Sequence, residues 1–213
     1  MSRSWVVTRG QFLTQHEVQR LYSALRDAKD LARQRKTFHC HIRDYFIMRL
    51  LLESGLRCFE LVALRVSDFR NGSLIVRHGK GNKKRNILLG KETQKAIGEF
   101  LKIKSKTLNE PIGAEDFLFL SERCKPYTTR GIRRRVKFWF QRIGLSDSLS
   151  VHSCRHTYIS HLIDKTKDLV LARDNAGHSS LQITSIYSHN LKTNIDELEL
   201  YSTDSSDFPA KEN

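Results

Sequence analysis

Arg57, Lys80, His152, Arg155 and His178, followed by Tyr187, bring together the side chains that chemistry at a phosphodiester needs. Guanidinium groups are always charged and hydrogen-bond the non-bridging oxygens of a phosphate through rigid forks. Their effect is greatest in the transition state, where the phosphorane is most anionic. Imidazoles give, take or share a proton near neutral pH, and a phenol is a nucleophile able to form a covalent phosphoryl intermediate. None of these residue types is rare. The reading therefore rests on their order and on the stretches SGLRCFEL, HGKGNKKR, VHSCRHT and AGHSSLQITSIYSH that contain them.

The elements that must carry these residues can be traced from hydrophobic period and punctuation. Thr14 and Glu17 form a capping box ahead of Val18, Leu21, Tyr22 and Leu25, which recur at helical spacing. A second, largely apolar helix is predicted from His39 to Glu53, with Gly55 as its terminator and a short helix carrying Glu60, Leu61 and Leu64 after it. The period then changes. Ser73–Arg77 and Arg85–Leu89 read as strands joined across the turn that holds Lys80, and Asn71-Gly72 marks a tight turn back to a first strand at Ser67–Phe69. Helices follow at Lys91–Lys106, at Arg130–Ile143 with Thr128 or Thr129 as cap, and at Cys154–Asp164, Lys167–Ala176, Leu181–Tyr187 and Asn194–Leu200. The predicted fold class is α+β, mainly helical with a small antiparallel β-sheet. Residues 1–13 read as a leader, 14–200 as one domain, and 201–213 as an acidic, disordered tail.

Placed on these elements, the candidates acquire local logic. Glu60, three residues beyond Arg57, can brace it. Glycines on both sides of Lys80 let the backbone approach a nucleic-acid groove, and Lys83 and Lys84 compete with Lys80 for the same task. Residues three apart share a helix face, so His152 and Arg155 can point at one phosphate, while His156 points elsewhere. His178 sits where one helix ends and Ser179 can cap the next. Tyr187 follows nine residues later, and Tyr201 is a rival that lacks any flanking pattern.

These four stretches closely resemble the catalytic boxes of the tyrosine recombinase (phage-integrase) family, and the resemblance runs from about Thr14 to Leu191. It implies the catalytic-domain fold of that family and a site-specific DNA recombinase of integrase, excisionase or invertase type. It also implies roles: Tyr187 attacks the scissile phosphate to give a 3′-phosphotyrosyl link, and Lys80 protonates the leaving 5′ oxygen. On the reading of the residues themselves, Arg57, His152 and Arg155 face the phosphate, and His178 stands near it as acid, base or hydrogen-bond donor. No metal or nucleotide cofactor is required, because the phosphotyrosine conserves the bond energy. The implied partners are double-stranded DNA and further copies of the protein in a synaptic tetramer. Cys154 stands where many members have Leu, and the pattern begins too early to leave room for the family's N-terminal DNA-clamping domain. A type IB-like topoisomerase and a non-catalytic DNA-binding relic are the competing readings.

Composition agrees with a polyanionic partner. The 213 residues carry 37 Lys and Arg against 23 Asp and Glu, a formal net charge of +14. From Asn194 onward six acidic residues oppose Lys211 alone, so the preceding body carries +19. Arg130, Arg133, Arg134, Arg135 and Lys137 crowd one predicted helix anchored by Phe138, Trp139 and Phe140. With Lys83, Lys84 and Arg85 they form the expected DNA-contacting set, which would supply affinity without reading sequence. Cys40, Cys58, Cys124 and Cys154 form no C-x-x-C pair, so free thiols are expected, and no metal site. Without an apolar leader or a membrane-length apolar run, a cytoplasmic protein is expected.

Overall fold

A computed structural model describes residues 11–77 and 84–176. Lys80, Lys83, His178, Tyr187 and the two C-terminal helices expected from the sequence lie outside the described residues. Helix α1 (Gln15–Arg35) starts at the predicted capping box. Thr14 Oγ1 accepts the Glu17 N–H at 3.2 Å, and the Glu17 carboxylate accepts the Thr14 N–H at 2.8 Å. Residues immediately before it also belong to the folded body. Leu13 is buried, and its N–H donates to Thr157 Oγ1 at 2.9 Å.

Helix α2 (His39–Ser54) is the centre of the molecule, packed by α1, α4 (Lys91–Lys106), α5 (Thr129–Arg142) and α6 (Val151–Thr166). Ile42, Phe46, Ile47, Met48, Leu50 and Leu51 are buried around its circumference, as an all-round apolar sequence demands. Its two buried charges are matched. Arg43 donates to Glu110 at 3.1 and 2.5 Å, and Glu110 also accepts from Lys104 Nζ at 2.8 Å. Asp44 accepts from the Arg135 guanidinium and from Trp139 Nε1 at 2.8 Å. Removing either partner of such a pair would be strongly destabilising, because it leaves an uncompensated buried charge.

The sheet is an antiparallel meander of β1 (Phe69–Arg70), β2 (Ser73–Val76) and β3 (Arg85–Leu88). Leu74 faces Phe69 on one side and Ile87 on the other, and Leu74, Val76 and Ile87 are buried. Asn71 and Gly72 both take positive φ, 49° and 75°, as a two-residue hairpin turn requires. The first strand begins later than predicted. Val66–Asp68 is a 3₁₀ turn because the Asp68 carboxylate accepts the Arg65 N–H at 2.8 Å, so pairing starts only at Phe69. Thr128, not Thr129, caps α5, its Oγ1 accepting from Gly131 N at 3.1 Å. Helix α6 begins at Val151, three residues before the expected start, because Ser150 is its N-cap. Helix α3 (Cys58–Ala63) and helix α7 (Leu169–Ala176) complete the described chain. Among the described residues no helix is long and apolar enough to cross a membrane, and no group of three His, Cys, Asp or Glu can hold a metal ion. All four cysteines are free thiols.

Candidate active site

The C-terminus of α2 organises the site. Gly55 takes φ +61°, and a Cβ built on it would lie 2.3 Å from Cδ1 of Tyr158, so both backbone conformation and space demand glycine. Its carbonyl accepts a hydrogen bond from Arg155 Nη1 at 2.5 Å. Two sequence boxes a hundred residues apart thus meet through one bond.

Arg57 lies in extended backbone at the N-cap of α3. The Glu60 carboxylate, whose side chain is fully buried, accepts the Arg57 N–H at 2.8 Å and Arg57 Nη1 at 3.0 Å. The predicted brace is present, but Glu60 has a second partner. Arg85 Nη1 and Nη2 reach its two oxygens at 2.7 and 2.9 Å. Burial alone would raise the pKa of Glu60. Hydrogen bonds from Arg85 and from the Arg57 backbone, with both positive charges, outweigh burial and hold the carboxyl below its ordinary value.

His152 occupies the first turn of α6, its N–H capped by Ser150 Oγ at 3.3 Å, with Arg155 one turn further on. Burial, followed by the charges of Arg155, Arg133 and Arg57, lowers its pKa, so the imidazole is neutral at pH 7. Those same charges place Arg57, Arg133, His152 and Arg155 around one electropositive spot. Arg133 is the residue that sequence reasoning undervalued. It was expected as one of several phosphate contacts on α5, yet packing of α5 on α3 brings it to His152 and Cys58.

Of the other expected DNA contacts, Lys84, Arg130 and Arg134 are exposed. Lys137 is partly exposed and pairs with Asp147 at 2.6 Å. Arg85 and Arg135, also expected as DNA contacts, have partners within the chain. Arg85 faces Glu60 and the carbonyl of Asn175, and Arg135 faces the buried Asp44, because each lies next to a desolvated carboxylate that needs a cation. Phe138 was expected as an anchor of α5 and is instead exposed, whereas Trp139 and Phe140 are buried.

Two further histidines on α6 have an acid-labile signature. His156 and His161 are each lowered to about 4, chiefly by burial. Their folded pKa values lie below the unfolded one, so the unfolded state binds more protons between the two. Stability is therefore full above about pH 6.5 and falls as pH drops towards about 4. In urea titrations the unfolding midpoint is expected to decline over that window. A His156→Asn, His161→Asn double variant is expected to show a flatter decline, and an unchanged slope would refute the assignment.

The sequence pattern of the phage integrase family matches residues 11–194. The chain belongs to the phage integrase family. Relatives within it include the tyrosine recombinase XerC of Lactobacillus leichmannii, 32% identical over 183 residues that make up 84% of this chain and 58% of that protein. The tyrosine recombinase XerC of Haemophilus influenzae strain PittEE is 36% identical over 149 residues, 70% of this chain and 49% of that protein. This integrase-family chain thus spans about half the length of the curated relatives it matches. The crystal structure of XerA recombinase superposes with a TM-score of 0.69 at 26% identity, covering 89% of this chain and 66% of that one. XerH site-specific recombinase bound to a palindromic difH substrate in a post-cleavage complex gives a TM-score of 0.70 at 21% identity, covering 89% and 52%. The fold is that of tyrosine recombinase catalytic domains, a mainly helical body with a small antiparallel sheet.

Proposed function

We propose that this chain is the catalytic part of a site-specific DNA recombinase that breaks and rejoins DNA through a 3′-phosphotyrosyl intermediate. The convergence of Arg57, His152 and Arg155 on one electropositive spot, joined by the Arg155–Gly55 bond, carries this reading. In the proposed step, the Tyr187 hydroxyl oxygen bonds to phosphorus and the phosphorus–5′ oxygen bond breaks. The phenolic proton passes to the neutral imidazole of His152, and Lys80 gives a proton to the departing oxygen. Arg57 and Arg155 take up the charge that grows on the non-bridging oxygens, with Arg133 adding to the positive field. His178 completes the hydrogen bonding around the phosphate. Attack by a 5′ hydroxyl of another strand reverses the step and rejoins DNA. Neither a metal nor a nucleotide enters this balance. Lys84, Arg130, Arg134 and Lys137, with Lys83, would grip the backbone of the duplex and make binding strongly salt-dependent. Self-association on DNA into a synaptic tetramer, and a cytoplasmic location, belong to the same reading.

The test is a nicked suicide duplex from which the cleaved 5′ end diffuses away. The full chain should accumulate as a covalent protein–DNA adduct that resists boiling in detergent and disappears on protease treatment. Absence of an adduct on every duplex that it binds would overturn the proposal. Relaxation of supercoiled plasmid without any site requirement would instead assign the chain to topoisomerase chemistry.

A further inference from the structure

We infer that Arg85 is a positioning residue that locks the Arg57 turn, the hairpin base and the end of α7 into one unit, readying the phosphate cage before DNA arrives. The inference rests on the cleavage chemistry proposed above and concerns residues that do not themselves touch the phosphate.

Arg85 opens β3 and pairs with Val76 across the hairpin that bears Lys80. Its guanidinium is directed in three ways at once. Nη1 and Nη2 hold Glu60 at 2.7 and 2.9 Å, and Nε donates to the Asn175 carbonyl at 3.0 Å. The last bond ties the start of β3 to the last described turn of α7. The side chain is only 11% exposed, so it forms part of the interior. From Asn175 the connection continues. Its Nδ2 donates to the Tyr158 hydroxyl at 3.1 Å, the Tyr158 ring lies against Gly55, and the Gly55 carbonyl holds Arg155. Arg57 and Arg155 are thereby connected through protein alone, by way of Glu60, Arg85, Asn175, Tyr158 and Gly55. The other leg of the hairpin is pinned as well, since Arg77 Nε donates to the buried Asp68 at 2.5 Å.

The charge balance explains why an arginine is needed here. Glu60 faced by Arg57 alone would draw that guanidinium inward as a bidentate pair and away from a phosphate. Two cations sharing one buried carboxylate leave the cluster net positive. A lysine is a point charge and cannot supply three fixed N–H directions to two acceptors.

The test compares the full-length parent with Arg85→Lys and Tyr158→Phe on the suicide duplex, separating binding from single-turnover cleavage at saturating DNA. Arg85→Lys is expected to bind with the parental Kd and salt slope but to cleave about 100-fold more slowly, the scale of an ångström-sized misplacement of a catalytic group. Tyr158→Phe keeps the ring over Gly55 and removes only the hydroxyl, and should slow cleavage about five-fold at unchanged affinity, the scale of one hydrogen bond. This milder change keeps the test valid if Arg85→Lys unfolds. Cleavage at the parental rate in the folded variants would overturn the inference. So would a weaker Kd in Arg85→Lys with a salt slope smaller by about one and unchanged cleavage, because that makes Arg85 a DNA contact. If the parent itself forms no adduct, the recombinase reading fails first, and this inference falls with it.

Discussion

A Tyr187→Phe variant is expected to form no covalent adduct with a suicide duplex while binding that duplex as tightly as the parent. Phenylalanine keeps the aromatic ring but removes the hydroxyl proposed to attack. Arg57, Arg155 and His152 are held by Glu60, by the Gly55 carbonyl and by the α6 cap. The phosphate cage should therefore persist, and backbone contacts should still set affinity and its salt dependence. Because cleavage needs a covalent nucleophile, the loss is complete and not graded. Tyr201→Phe should leave adduct formation at the parental level. Gel detection of adducts, with filter binding for affinity, checks both variants. An adduct that persists in Tyr187→Phe would transfer the nucleophile to another side chain.

Arg155→Lys is expected to lower single-turnover cleavage by about 10²–10³-fold with little change in Kd. Arg155 is only 6% exposed, and one of its nitrogens is committed to the Gly55 carbonyl at 2.5 Å. A guanidinium can hold that carbonyl and still aim further N–H groups at a phosphate. An ammonium on a flexible stem that turns to the carbonyl offers the phosphate at most a poorly directed hydrogen bond. The interaction lost is strongest when the phosphate is most anionic, so the rate falls far more than affinity does. The positive charge is retained, which separates loss of hydrogen-bond geometry from loss of field. Quenched-flow cleavage at saturating duplex, alongside thermal unfolding, measures both quantities. A variant that stays folded and cleaves within a few-fold of the parent would remove Arg155 from the phosphate.

Tight coupling of these groups bears on pH as well. Glu60 is held below its ordinary pKa in the folded state, so its contribution to stability is present above about pH 4.3 and is lost as pH falls through the folded value. His156 and His161 act over the higher window, from about pH 6.5 down to about 4. Acid should therefore loosen α6 before it discharges the pair that braces Arg57.

Much of the scaffold was legible because its signals are local. The capping box at Thr14, the glycine after α2, the Asn71-Gly72 turn and the span of α4 depend on residues a few positions apart. The errors were local competitions decided by single side chains. Asp68 capping Arg65 turned an expected strand start into a 3₁₀ turn, and Ser150 started α6 before Cys154. Charge reading was less dependable. Runs of arginine looked uniform, but whether each cation faces solvent depends on where buried carboxylates lie. Those carboxylates, Glu60 and Asp44, are 25 and 91 positions from Arg85 and Arg135.

The sequence by itself determined the chemical inventory: two arginines, two imidazoles, a lysine and a tyrosine in a recognisable order, on a strongly basic chain. It also determined that Glu60 stands within reach of Arg57, since three residues on a helix set that distance. Only the tertiary structure decided that Arg155 holds the Gly55 carbonyl at the end of α2, and that the charges of Arg155, Arg133 and Arg57 all act on His152. It alone turned Arg85 from a surface cation into the tie between three elements. The physical reason is desolvation. A carboxylate buried by packing requires cations from wherever the fold can bring them, and spacing along the chain carries no record of which ones arrive.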